Sequence, residues 1–459
     1  MTLREKLEYG CGSTADSMYY AFVGSFLMFF LTTVAGIAPA VAGAIIAIGS
    51  VWNALFNPIL GFLSDRVRTS HGRRRPLMMA ASFPLALFTV LLFSNLPLPS
   101  GVKTVYYGLM LILFWSSFSS FLVPYLALGV SYTTDYQERT TLRLYASLFN
   151  MLGSIVCMVM PNMLVDYLTG RGMSTSLAWT VVGGCISFLS TLTIWITVYA
   201  SRTKDLPCQK TDIPQPPISL RAILREYASL IALPPLRWMI VASVMSLITY
   251  TMIMSDLIYL LTFNLGYNRT EVSLFLMLRA VYGLLMIPLV GIIARKIDKR
   301  QTLILFFAIA LLGMLLVATG GLQNLMGTFF YVFLAAICTC VYWQLIPSMY
   351  YDICDYDQLQ NQKDRQGTIL SFQGLVEALS IGVGNLLLGF VLGQRGFDGN
   401  SPVQTPLAQD WILRAGTLLP SLFLLVAGFA IWRYPINRKS HAAIQAALAE
   451  RSSKEPFDI

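Results

Sequence analysis

Apolar residues fill this chain in long runs, and short polar stretches separate them. Runs long enough to cross about 30 Å of hydrocarbon as a helix fall near 14–36, 39–63, 77–97, 104–131, 143–167 and 177–200. A second set falls near 236–263, 271–294, 302–321, 325–350, 368–394 and 410–433. The pattern predicts an all-α membrane protein with about twelve transmembrane helices in two bundles of six. Between the sets lies the longest polar stretch, 201–235, with Pro207, Pro214, Pro216 and Pro217. It also holds an amphipathic segment, Ser219 to Leu230, expected to lie along the membrane surface. The expected domains are an N-terminal bundle over 1–200, a cytoplasmic linker over 201–235, a C-terminal bundle over 236–434 and a cytoplasmic tail over 435–459.

Composition sharpens the choice of solvent. Of 459 residues, 56% are hydrophobic and 12% charged, about half the charged share of a soluble domain. So few charges could not cover a soluble surface of this size, whereas lipid removes the need. The net charge of +9 is gathered into short loops: Arg66, Arg68, Arg73, Arg74 and Arg75; Arg295, Lys296, Lys299 and Arg300; Arg433, Arg438 and Lys439. The intervening loops carry only scattered cations such as Lys103, Arg171 and Arg269. That asymmetry predicts a multi-pass protein of the cytoplasmic membrane with both termini cytoplasmic, and argues against a nucleic-acid partner. The short polar N-terminus, which runs directly into the first span, does not read as a cleavable signal peptide. Seven cysteines show no metal-ligand spacing, and no nucleophile–base pair or phosphate loop is apparent. No metal, cofactor or enzymatic activity is expected.

An internal repeat supports two related halves. Pro58-Ile-Leu-Gly61 with Arg66 matches Pro288-Leu-Val-Gly291 with Lys296, each equivalent residue 230 positions later. Both copies end a second span and open a basic loop, the architecture from which transporters build two bundles that rock about a central site.

Particular segments carry a family resemblance. Gly61-Phe-Leu-Ser-Asp65-Arg66, running to Gly72-Arg73-Arg74-Arg75-Pro76, resembles the signature loop of the major facilitator superfamily. Pro124 to Thr140, with Asp135, Tyr136, Glu138 and Arg139, is similar to the fourth-span exit of the glycoside–pentoside–hexuronide:cation symporters. Asp352 to Gln358, followed by Lys363-Asp-Arg365-Gln-Gly367, resembles that family's tenth-span exit. Tyr9-Gly10-Cys-Gly12 and Trp52-Asn53-Ala-Leu-Phe-Asn57-Pro58 fit as well. The resemblance implies the two-bundle major facilitator fold and a gate from Asp65, Arg66, Arg73, Asp135, Glu138, Arg139, Asp352, Asp355 and Arg365. In it Asp352 and Asp355 would face Arg139 and Arg365 when the cytoplasmic side is closed.

Departures from the family pattern bear on coupling. Where the family carries two cation-binding aspartates one turn apart in the second span, this chain has Asn53 and Asn57. The spacing keeps both on one face, yet neutral amides release no proton and hold Na⁺ less well than carboxylates. Glu377 stands where the family has a lysine in the eleventh span, and Leu122 replaces the fourth-span acid. The charges left inside spans are Asp16, Asp256, Arg279 and Glu377, each costing at least ~2.5 kcal/mol at bilayer depth unless it faces a cavity or a partner. Arg279 beside Asp256 or Glu377 is a reasonable ion pair, and Asp16 or Glu377, held from water, could carry a coupling proton. Asn53, Asn57, Asp256, Arg279 and Glu377 thus form the candidate coupling region.

The candidate substrate residues are Asp16, Tyr19, Tyr20, Tyr125, Arg143, Trp343 and Gln373. Aromatic faces stack on the C–H face of a pyranose, and Trp343 matches a binding-site tryptophan of the family. A gapless reading sets Ser17, not Asp16, at the family's first-span acid, and Arg143 lies about one turn short of its counterpart. The expected function is secondary active transport of a glycoside or related small organic solute, coupled to H⁺ rather than Na⁺, by a monomer in contact with membrane lipid. The alternative on the same fold is an uncoupled or differently coupled carrier of a lipid or steroid. A non-transporting sensor is disfavoured because no soluble domain is added.

Overall fold

The computed structural model describes residues 2–66, 74–132, 136–203, 229–321, 325–361, 365–399, 401 and 403–454. Most of the amphipathic segment expected over 219–230 lies outside these residues. Among the described residues, twelve helices are long and apolar enough to cross a membrane. The first half comprises α1 (Leu3–Phe29), α2 (Pro39–Arg66), α3 (Arg75–Leu92), α4 (Ser100–Tyr132), α5 (Tyr136–Gly170) and α6 (Thr175–Ala200). The second comprises α7 (Pro234–Tyr259), α8 (Arg269–Ile297), α9 (Lys299–Leu316), α10 (Leu325–Asn361) and α11 (Gln366–Gln394). The twelfth span is broken at Thr417 into α12 (Pro406–Gly416) and α13 (Leu418–Arg433). A further helix, α14 (Arg438–Lys454), follows it.

Local sequence explains these elements. The first helix opens with a capping box: Glu5 N–H donates to Thr2 Oγ1 and Thr2 N–H to Glu5 Oε2. Prolines lie inside spans at Pro84, Pro124, Pro161, Pro288 and Pro347. Membrane helices accept them because neighbouring groups re-satisfy the freed carbonyls. The first half is sewn together by aromatic side chains. Trp179 of α6 is fully buried against Phe26 (ring centroids 5.7 Å apart), Phe30 (6.1 Å) and Phe93 (6.1 Å).

The 230-residue repeat read from prolines and glycines recurs in the backbone. A π-helical turn, Phe30–Val34, ends the first span, and another, Leu260–Asn264, ends the seventh. The same two closing bonds follow each: Ala35 N–H to Phe30 O (2.9 Å) and Ile37 N–H to Leu31 O (2.8 Å), then Leu265 N–H to Leu260 O (3.2 Å) and Tyr267 N–H to Leu261 O (3.0 Å). Gly36 and Gly266 take φ of 70° and 68° at equivalent places, where a side chain would meet its own carbonyl. Ser13 and Ser243, also 230 apart, each hydrogen-bond a tyrosine of the fourth span of their half, Tyr125 at 2.7 Å and Tyr350 at 3.2 Å. Shared backbone irregularities at one offset are strong evidence for two copies of one plan.

Packing sorts the chain into two compact units that do not follow chain order. One contains Met1–Asp212, Ser255–Met277 and Asn385–Ile412; the other contains Ile213–Met254, Leu278–Gly384 and Leu413–Ile459. The first unit thus joins α1–α6 to the ends of α7, α8, α11 and α12 that lie away from the basic loops.

Candidate functional site

The first unit carries a polar cluster on α1, α4 and α5. Tyr125 hydroxyl lies 2.7 Å from Ser13 Oγ and donates to Tyr9 O (3.0 Å), while its ring stacks on Tyr9 at 4.9 Å. Asp16 accepts a bond from Asn150 Nδ2 at 3.1 Å, so the first-span acid is a built feature of this cluster. Ser17, the other reading of that position, is buried and donates to Thr14 O (3.0 Å). Tyr20 stands apart from the cluster against Trp115 and Phe118 (6.0 and 6.4 Å), and buried Tyr19 reaches Ser187 O. The Arg143 side chain lies outside the described residues.

In α2, Asn53 Oδ1 accepts a hydrogen bond from Ser119 Oγ of α4 at 3.0 Å, and Trp52 Nε1 donates to Ser116 Oγ at 2.8 Å. The second-span face is therefore tied to the fourth span by neutral hydrogen bonds. Asn57 Oδ1 is buried without a hydrogen-bond partner among the described residues. Two amides and two hydroxyls offer a cation no formal negative charge.

The ends away from the basic loops are fastened within this same unit. Asp166, near the end of α5, receives Thr270 N–H (3.0 Å) and Thr270 Oγ1 (2.9 Å) at the start of α8, and pairs with Arg269 at 3.6 Å. A carboxylate at a helix N-terminus takes up an orphan N–H and meets the positive end of the dipole. Tyr259 of α7 lies 2.7 Å from Thr32 Oγ1, and Ser255 donates to Asn385 Oδ1 of α11 at 2.9 Å. The α2 and α11 backbones approach closely at Gly43, where an added Cβ would sit 2.7 Å from Asn385 O. Sequence reasoning missed this latch, because Asp166 and Thr270 are 104 residues apart and nothing local marks them as partners. The α7 carboxyl, Asp256, is fully buried and neither of its oxygens has a hydrogen-bond partner among the described residues.

The second unit carries a cluster of its own on α7, α10 and α11. Glu377 Oε1 accepts from Gln373 Nε2 (2.7 Å) and from Tyr342 hydroxyl (3.5 Å). The expected partner of Glu377 or Asp256 was Arg279; Glu377 instead accepts from neutral donors, Gln373 one turn back on α11 and Tyr342 across on α10. Trp343 is 39% exposed and packs edge-on against Tyr250 and Tyr342 (6.3 and 5.3 Å). A cavity of about 400 Å³ between α8 and α10 is lined by Arg279, Gly283, Ile287, Cys340, Trp343 and Gln344. Trp343 and Arg279 therefore share one cavity, and Glu377 and Gln373 pair beside Tyr342.

At the basic end of this unit, the tenth-span acids have local partners. Asp352 is held by Lys299 Nζ at 2.8 Å, and Asp355 by His441 Nε2 at 3.0 Å and Gln445 Nε2 at 2.6 Å of α14. Arg365 ties back to Asp357, with Nε 2.9 Å from Oδ2, and Nη1 reaches Ser229 Oγ at 2.9 Å. Arg365 immediately precedes α11, eight residues after Asp357, so this local pair orders little extra chain. The side chains of Asp65, Arg66, Arg73, Asp135, Glu138 and Arg139 lie outside the described residues, so their expected gate is not seen.

Comparison with known proteins places the chain. Residues 8–438 match the model of the family described as MFS/sugar transport protein. The isoprimeverose transporter of Lactiplantibacillus pentosus is 23% identical, with 98% of this chain and 92% of that one covered. The inner membrane symporter YicJ of Escherichia coli is 24% identical over 95% of this chain and 92% of its own. Among solved structures, the nucleoside transporter NupG superposes with a TM-score of 0.68 at 14% identity, covering 93% of this chain and 99% of that chain. A bacterial homologue of the lysosomal transporter Spinster gives 0.69 at 12% identity, covering 98% of each. These structures share the fold.

Proposed function

The chain belongs to the family of MFS/sugar transport proteins, a multi-pass membrane transporter and not an enzyme, and on that premise we propose that it is a proton-driven symporter of a glycoside or related small solute. One observation carries the choice of proton: Asn53, at the position where the resemblance sets a cation-binding aspartate, is occupied by a neutral hydrogen bond to Ser119. Acids well inside the spans lie instead at Asp16, Asp256 and Glu377. The solute class is supported by the full-length isoprimeverose-transporting relative and by Trp343, a part-exposed ring on a cavity that also presents Arg279 and Gln344. The basic loops and α14 then face the cytoplasm, and the Asp166 latch closes the opposite, external end. Chemistry here is differential stabilisation of two states rather than bond making.

The lipid or steroid alternative draws on one feature. Beside Arg279, Thr339 and Gln344, the Trp343 cavity is lined by Ala280, Gly283, Ile287, Ala336 and Cys340, an apolar share that suits an amphiphile. Uptake into proteoliposomes separates the readings, using isoprimeverose and a panel of methyl glycosides under proton or sodium gradients imposed singly. Accumulation under the proton gradient alone is expected. Sodium-driven accumulation would sink the reading of Asn53 and Asn57, and movement of a steroid or lipid with no glycoside moved would favour the alternative.

A further inference from the structure

Among the acids inside spans, Asp16 and Glu377 each receive a hydrogen bond from an amide. Asp256 receives none at either oxygen among the described residues, and no part of it is exposed. A carboxyl group placed for structure would be hydrogen-bonded, since a buried polar group without a partner is destabilising. An ionised one in that place would be far more so, with no donor at either oxygen among the described residues and no surface open to solvent.

Its position in the repeat sharpens the point. The residue 230 earlier is Phe26, also fully buried, whose ring packs on Trp179. A core position that the first half fills with a phenyl ring is filled in the second by a carboxyl. Contacts on either side hold the surrounding turn closed. Ser255 binds Asn385, and Tyr259, one turn on, binds Thr32. Tyr259 is the titratable neighbour on the same helix, and Phe29 and Phe397 face its ring at 5.7 and 5.3 Å. At this end of the unit the charged groups Asp166 of α5 and Arg269 and Glu271 of α8 are engaged at the α8 start.

The geometry points to Asp256 as a proton-binding site that is loaded in this conformation and discharges when the latched end opens. The contacts that flank it along α7, Ser255–Asn385 and Tyr259–Thr32, are those that parting of this end would break. Water then reaches the carboxyl, its O–H bond ionises, the proton passes to water and a hydrated carboxylate remains. Closing reverses the step. This rests on the proton-driven reading and names the group that holds the proton.

The test is infrared spectroscopy of the full chain in lipid nanodiscs, reading the C=O band of a protonated carboxyl group at neutral pH. In protein grown with ¹³C-labelled aspartate the band is expected to shift, which needs no variant. It is expected to vanish in Asp256→Asn and to persist in Asp16→Asn and Glu377→Gln. Opening the latch with Asp166→Ala is expected to make the band titrate away as pH rises. A band that ignores the aspartate label, or survives Asp256→Asn, overturns the proposal. A band from Asp256 in a protein whose uptake ignores the proton gradient leaves this site standing and removes the coupled reading instead.

Discussion

Replacing Asp166 by alanine removes three contacts that hold the α5 end against the start of α8. Two are hydrogen bonds from Thr270, at 3.0 and 2.9 Å, and the third is an ion pair to Arg269 at 3.6 Å between side chains about one-third exposed. Pairs that exposed contribute about 0–1 kcal/mol, and a capping contact to an orphan helix N–H contributes about 0.5–2 kcal/mol. The helix itself survives, because Asn268 and Glu271 cap it locally through reciprocal bonds of 2.8 and 2.9 Å. The lost stabilisation, about 1–3 kcal/mol, therefore falls on closure of this end and converts to a shift of about 5–150-fold in the closed-to-open ratio. Electron–electron resonance between spin labels attached at the exposed positions 170 and 403 reads that ratio directly. Asp166→Ala should add a longer distance, and Asp166→Asn, which keeps an acceptor, should add less of it. A distance distribution identical to that of the unaltered latch would refute the assignment.

Three further outcomes follow from the same geometry. Gly43→Val should cut transport more than tenfold, because a Cβ there meets the Asn385 carbonyl at 2.7 Å, whereas Gly24→Ala, with open space around it, should transport normally; initial uptake rates decide. Asn53→Asp with Asn57→Asp should introduce sodium-stimulated uptake, since Ser119 Oγ can donate to a carboxylate as it does to the amide; uptake unchanged by sodium would contradict the reading of this face. Trp343→Ala should raise the half-saturating solute concentration about 2–10-fold, the worth of one aromatic contact, with Trp343→Phe intermediate and thermal stability retained.

Much of the fold was legible because membrane solvation writes it into composition. Spans, basic loops and the Pro58/Pro288 offset could all be read along the chain. The repeated π-turns at Phe30 and Leu260 could not, because a change of hydrogen-bond register leaves no mark in apolar residues. The break of the twelfth span at Thr417 was likewise read through, although Gly416 and Pro420 flank it. At the site, sequence picked out the acids and Trp343 but not their partners. Asp166 meets Thr270 and Asp355 meets His441 only through tertiary packing, across 104 and 86 residues. The resemblance sets Arg365 against Asp352 and Asp355 when the cytoplasmic side is closed; in this structure it pairs with the nearer Asp357, which orders less chain.

Solute and proton are expected to move together. In a lightly buffered, sodium-free suspension of cells expressing the protein, adding a transported glycoside should raise external pH at once, and a protonophore should abolish the rise. Solute entry with no pH change, or entry that begins only when sodium is supplied, would contradict it.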